Sequence, residues 1–156
     1  MSTLQQFDIA ERLEAVAERI YRALADHFSG DAEARLLFEQ LADEERQHAL
    51  RVQMVRTRYL RDSDTVTGLV IDVARAREIL AHAERIQEDV SRQPPTTVDE
   101  ACRLAGDLEE ELSLAHAEIM TKDCPQDLRR LLESLAKQDK HHAALLRKQT
   151  VPPAEG

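Results

Sequence analysis

The sequence predicts an all-α protein: a bundle of four long helices arranged as two duplicated hairpins, joined by a long crossover that carries an extra helix. Three observations lead there. Aromatics are only 3% of the 156 residues while apolar residues are 42% and charged residues 33%, a balance leaning on Ala, Leu, Glu and Arg, which favour helix over strand. The breakers Ser29-Gly30, Gly68, Pro94-Pro95, Pro125 and Pro152-Pro153 cut the chain into segments of helical length. Within those segments apolar residues recur at alternating steps of four and three, the spacing that keeps side chains on one face of a helix.

The expected helices span residues 7–28, 32–61, 71–91, 98–121 and 126–149. The first carries the stripe Ala10, Glu14, Ala17, Tyr21, Leu24, Phe28. The second carries Ala34, Phe38, Leu41, Glu45, His48, Val52, an apolar stripe interrupted by one acid and one imidazole. The third has Ile79, Ala83, Ile86 and Val90 with no acid among them, so it reads as an added helix of the crossover. The fourth opens on Thr97-Val98-Asp99-Glu100, a capping box, and carries Cys102, Ala105, Glu109, Leu112, His116 and Ile119. The fifth carries Leu128, Leu132, Leu135, Asp139, His142 and Leu146.

The two hairpins, residues 7–61 and 98–149, repeat one another across a crossover at 62–97, the whole forming a single domain over 1–156. LADEERQHAL at 41–50 returns as LAKQDKHHAA at 135–144, Leu13-Glu14 returns as Leu108-Glu109, and Tyr21 matches His116. Glu14 precedes Glu45 by 31 positions and Glu109 precedes Asp139 by 30. A long connection between the second and fourth helices is what a bundle with one crossover requires.

An acid three residues before a histidine is weak evidence alone, since 30 of the 156 residues are acidic. The stronger signal is that all four stripes carry a carboxylate near mid-helix, where an unpaired buried charge costs several kcal/mol. One Glu from each of two helices and an acid-x-x-His from each of the other two is the donor set of bundles that hold two iron or manganese ions. Here the set is Glu14, Glu45 with His48, Glu109, and Asp139 with His142. Four carboxylates balance two divalent cations, and neutral imidazoles complete the shell. Oxygen-rich donors with one imidazole per ion suit Fe(II) or Mn(II), and Zn can occupy the same groups. Six side chains leave positions open on two six-coordinate ions. Either Glu45 with Glu109 or Glu14 with Asp139 can bridge, and the spacing does not choose.

The segments LEAVAERIYRALADHF and LFEQLADEERQHA, with these acids and imidazoles, resemble the rubrerythrins of the ferritin-like superfamily over about residues 7–60 and 98–149. The resemblance implies a ferritin-like bundle with a di-iron site. It selects Glu45 over Glu44 and Glu109 over Glu110 as ligands, and places Tyr21 beside the site. Departures are equally specific. Asp139 stands where the family usually has Glu, Leu112 stands where it has a further carboxylate, and His116 replaces an expected Tyr, able to hydrogen-bond a ligand or to coordinate. The two cysteines, Cys102 and Cys124, cannot build the family's four-cysteine module, so electrons are expected from a separate donor.

The functional expectation is reduction of a small oxidant, peroxide or dioxygen, by a dinuclear iron protein. Iron oxidation for storage or delivery is the alternative within metal chemistry, and a non-catalytic bundle with structural metal or none is the alternative outside it. A net charge of −9 argues against nucleic acid and anionic membranes. The lack of a basic, apolar leader or an 18-residue apolar run predicts a cytoplasmic protein. The third helix is compatible with a homodimer interface.

Overall fold

The computed structural model of the chain describes residues 3–62, 74–120 and 125–150. Its elements are α1 (Thr3–His27), α2 (Ala32–Asp62), α3 (Ala74–Arg92), α4 (Val98–Ile119) and α5 (Gln126–Lys148), with no strand among the described residues. The breaks read at Gly68 and Pro152-Pro153, and Cys124, lie outside the described residues. None of the described helices is long and apolar enough to cross a membrane.

Helix α1 begins four residues earlier than the stripe suggested. Gln6 is the reason: it is fully buried and its Nε2 donates to the Ile119 carbonyl at 3.1 Å. This anchors the first turn of α1 against the last turn of α4, a tertiary contact that no periodicity announces. The α1–α2 turn is closed by Asp31, whose Oδ1 accepts the Ala34 N–H at 3.1 Å and satisfies one of the donors left open at a helix start. At α4, Thr97 caps as expected, its hydroxyl accepting the Glu100 N–H at 3.1 Å. The return arm of the box differs from expectation. Glu100 reaches past the cap to Thr96, taking its N–H at 3.1 Å and its hydroxyl at 2.9 Å.

Cross-helix contacts fix the topology. Residue 22 meets 43 and residue 53 meets 11, so α1 and α2 are antiparallel. Arg147 meets Asp107 and His116 meets Asp139, so α4 and α5 are antiparallel too. Tyr21 reaches Glu109 and Gln6 reaches Ile119, which sets α1 against α4, while Arg51 meets Ser134 across α2 and α5. The second and fourth helices therefore run the same way, and the chain must travel back along the bundle between them. Helix α3 makes part of that return, packing on α1 and α4. Its stripe of Ala76, Ile79, Leu80, Ala83, Ile86 and Val90 is buried within the chain.

Gly106 sits inside α4, where glycine costs about 0.5–1 kcal/mol relative to alanine. A Cβ there would meet the Arg147 guanidinium at 3.5 Å, ordinary van der Waals contact. Gly106→Ala is therefore expected to stabilise the fold by about 0.5–1 kcal/mol, read as a higher denaturant midpoint at unchanged slope. A lower midpoint would contradict the clash-free contact with Arg147 at this position.

Candidate metal centre

The four acid-bearing stripes converge. Glu14, Glu45, Glu109 and Asp139 are all fully buried, as are Tyr21, His116 and His142, and His48 is 5% exposed. Each side chain comes from mid-helix because its stripe is continuous above and below: Ala10 and Ala17 flank Glu14, and Leu135 and Leu146 flank Asp139 and His142. The apolar turns fix the face, and the acids ride on it into the core.

Inside, the donors fall into three groups whose atoms lie within 4.8 Å of one another: Glu14, Glu45 and His48; Glu45, Glu109 and His142; and Glu14, His116 and Asp139. Glu45 belongs to two groups and Glu14 belongs to two. His48 Nδ1 lies 3.4 Å from Glu14 Oε2 and 3.4 Å from Glu45 Oε2. His142 Nδ1 lies 3.0 Å from Glu45 Oε1 and 3.3 Å from Glu109 Oε1. Two donors on one ion at about 2.1 Å, set at right angles, are about 3.0 Å apart, so these spacings are those of neighbours on a coordination sphere.

Both oxygens of Glu14, both of Glu45, Glu109 Oε2, Asp139 Oδ1, His48 Nδ1 and His116 Nε2 are buried without a hydrogen-bond partner. Buried polar atoms are nearly always hydrogen-bonded, and such a concentration of carboxylate oxygens and ring nitrogens facing one another without aligned hydrogen bonds fits divalent cations. The residues present thus match the donor chemistry of a dinuclear carboxylate site.

All of these residues stand on the predicted stripes, but the fold groups two of them differently. The spacing makes Asp139 and His142 one acid-x-x-His unit. In the fold Asp139 faces α4, with His116 Nδ1 at 2.5 Å from its Oδ2, while His142 faces α2. Glu44, set aside in favour of Glu45 as a ligand, has a different place in the site. One-third exposed, it holds His142 Nε2 at 2.5 Å, the carboxylate–histidine arrangement that orients a metal-bound imidazole. Its signal in the sequence is only adjacency to Glu45, because the choice depends on which flank of α2 meets α5. Tyr21 donates its hydroxyl to Glu109 Oε1 and stacks on Phe38 with ring centroids 6.3 Å apart. His27 and His141 are exposed, and His82 pairs with Glu111 at 2.7 Å.

Protons do the balancing where no cation is present. Burial pushes Glu14 up, but the adjoining Glu45 carboxyl and the His116 and His48 imidazoles outweigh it and hold it at about 2. Burial, then the Glu14 charge, push Glu45 up. Burial also raises Glu109 to about 8 and Asp139 to about 6. For His48 and His142 burial favours the neutral ring, yet the facing carboxylates prevail and raise them to about 10 and about 11. Burial raises Tyr21 well above its ordinary value, so its phenol keeps its proton.

The metal-free fold is therefore expected to weaken as pH rises from 6.5 to 10. The unfolded chain releases the His48 and His142 protons near 6.5 while the fold keeps them. Their contribution is complete below 6.5, falls by about 1.4 kcal/mol per pH unit per imidazole above it, and is gone past about 11. Glu14 has the opposite sign, but its contribution is lost only as pH falls through about 2, outside this window. Thermal melts with a chelator present check this, and a melting temperature that climbs across the window would contradict it.

An antiparallel helical bundle with one long crossover, carrying paired carboxylate–imidazole groups at its centre, defines the ferritin-like class of dinuclear metal proteins. The family model of rubrerythrin matches residues 7–150, and the chain belongs to that family. Searches of curated proteins and of solved structures return no match.

Proposed function

We propose that the protein is a dinuclear non-haem iron protein that reduces peroxide or dioxygen, drawing electrons from a separate donor. The observation that carries this reading is the chain of buried donors linked through the shared Glu14 and Glu45, with their inward oxygens unpaired. Glu14, Glu45, His48, Glu109, Asp139 and His142 are the residues that would hold the ions. Two ferrous ions, when bound, supply one electron each, which with two protons takes peroxide to water.

The chain's own residues do the rest. Glu44 fixes the His142 ring and sits at the surface end of that contact, one-third exposed, which makes it a route for protons between solvent and the centre. Tyr21 donates its hydroxyl to Glu109 Oε1, and the buried Phe38 ring stacks on Tyr21. Glu109, held near 8 by burial, must release any proton it carries when a cation enters, so metal affinity rises with pH.

Anaerobic reconstitution with Fe(II), iron counting, and then addition of peroxide test the reading. Two retained ions per chain that cycle between ferrous and ferric states with peroxide support it. Uptake well beyond two per chain on exposure to air supports storage instead, and failure to bind iron supports a non-catalytic bundle.

A further inference from the structure

His116 is the one imidazole of the centre that the acid-x-x-His pattern does not account for. It is fully buried on α4. One ring nitrogen, Nδ1, lies 2.5 Å from Asp139 Oδ2, and the other, Nε2, lies 2.9 Å from Glu14 Oε1. The first contact is a hydrogen bond. The second is not aligned as one, and both Nε2 and Glu14 Oε1 stand among the unpaired buried atoms.

His142 shows the same arrangement with the nitrogens exchanged: Nε2 on the Glu44 carboxylate and Nδ1 towards Glu45 and Glu109. A carboxylate behind one nitrogen and the other nitrogen aimed at acidic ligands is how proteins orient a metal-binding histidine. In the metal-free fold burial favours the neutral His116 ring, but the Asp139 and Glu14 carboxylates prevail and raise it well above its ordinary value. A cation entering beside Glu14 displaces the Nε2 proton, and the Nδ1 hydrogen bond to Asp139 then leaves the Nε2 lone pair towards Glu14. The 2.9 Å between Nε2 and Oε1 is the separation of neighbouring ligands on one ion at about 2.1 Å.

We propose that His116 is itself a metal ligand, binding through Nε2 the ion that Glu14 holds, with Asp139 positioning its ring. The inference rests on the dinuclear reading above and adds a third imidazole to it. The two metal positions are then unlike. The ion held by Glu14 gains an extra nitrogen donor, and Asp139 divides its oxygens, Oδ2 to the His116 ring and Oδ1 towards the cations. This also gives the shortened side chain a role: a carboxylate tied to a ring on α4 is one less free to span two ions.

Cobalt(II) substitution tests it without reference to turnover. Each coordinated imidazole contributes one exchangeable, paramagnetically shifted ring N–H to the proton spectrum. The cobalt-loaded parent is expected to show three such signals, and His116→Gln two, with one of its two ions bound at least tenfold more weakly. The parent spectrum stands by itself if the variant fails to fold. Two signals in the parent, or a variant whose signals and affinities equal the parent's, overturn the His116 assignment while leaving the dinuclear centre intact. A parent that takes up no cobalt removes both.

Discussion

Glu45→Ala is expected to abolish binding of both ions. Its carboxylate belongs to the His48 group and to the His142 group, 3.4 Å from one imidazole and 3.0 Å from the other, so its removal strips a ligand from each position. Loss of a supporting residue around a metal typically weakens binding by about 10–100-fold, and loss of a shared ligand should exceed that at both sites. The fold should survive. Burial and the neighbouring Glu14 both push the Glu45 carboxyl up, which marks it as a residue the metal-free core holds at a cost. Asp139→Ala makes the contrast, because Asp139 occurs only with Glu14 and His116. It should impair one ion and leave the other near the parent affinity. Anaerobic Fe(II) or Co(II) titration of both variants, with circular dichroism to verify helicity, provides the comparison. A Glu45→Ala variant that loads two ions like the parent would dissolve the proposed centre.

Metal loading is expected to raise the stability of the fold by several kcal/mol. An ion that binds only the folded state at about 100 times its Kd contributes about 2.7 kcal/mol, so two contribute about 5. For a chain of this length that corresponds to a rise in melting temperature on the order of 10–20 °C. The loaded and metal-free proteins should also respond oppositely to pH. Without cations the fold relies on protons held by His48, His142 and Glu109, and it weakens as they leave. With cations those same protons are competitors, so binding strengthens as pH rises towards 8. Melting curves at pH 6 and pH 8, with ferrous ion under anaerobic conditions and then with chelator, read both effects. A melting temperature indifferent to metal would contradict the assignment of the buried donors.

Much of this architecture is local and therefore legible in one sequence. The stripe through Ala10, Glu14, Ala17 and Tyr21 names the buried face of α1 because a helix returns to the same side every three or four residues, whatever it packs against. The Thr97 cap and the Pro94-Pro95 break are equally local, and both act where expected. The start of α1 was not legible, because Gln6 gains its partner from Ile119, 113 positions away. The α3 stripe was visible, but not that α1 and α4 would cover it. At the centre, the repeat named the carboxylates and two imidazoles, whereas it gave no reason to choose Glu44 as the residue behind His142.

What the sequence determined by itself is that four helices would each carry one acid into a common interior, since helical periodicity fixes the face on which every side chain stands. What only the tertiary structure decided is who meets whom there: Asp139 with His116 and not with the His142 one turn along, Glu44 with His142, and Glu45 between two imidazoles. The reason is geometric. Residues three apart share a face of the helix, yet they sit about 4.5 Å apart along its axis and about 60° apart around it. Two side chains of one motif can therefore point to different neighbouring helices, and the packing of α4 and α2 against α5 settles which neighbour each one finds.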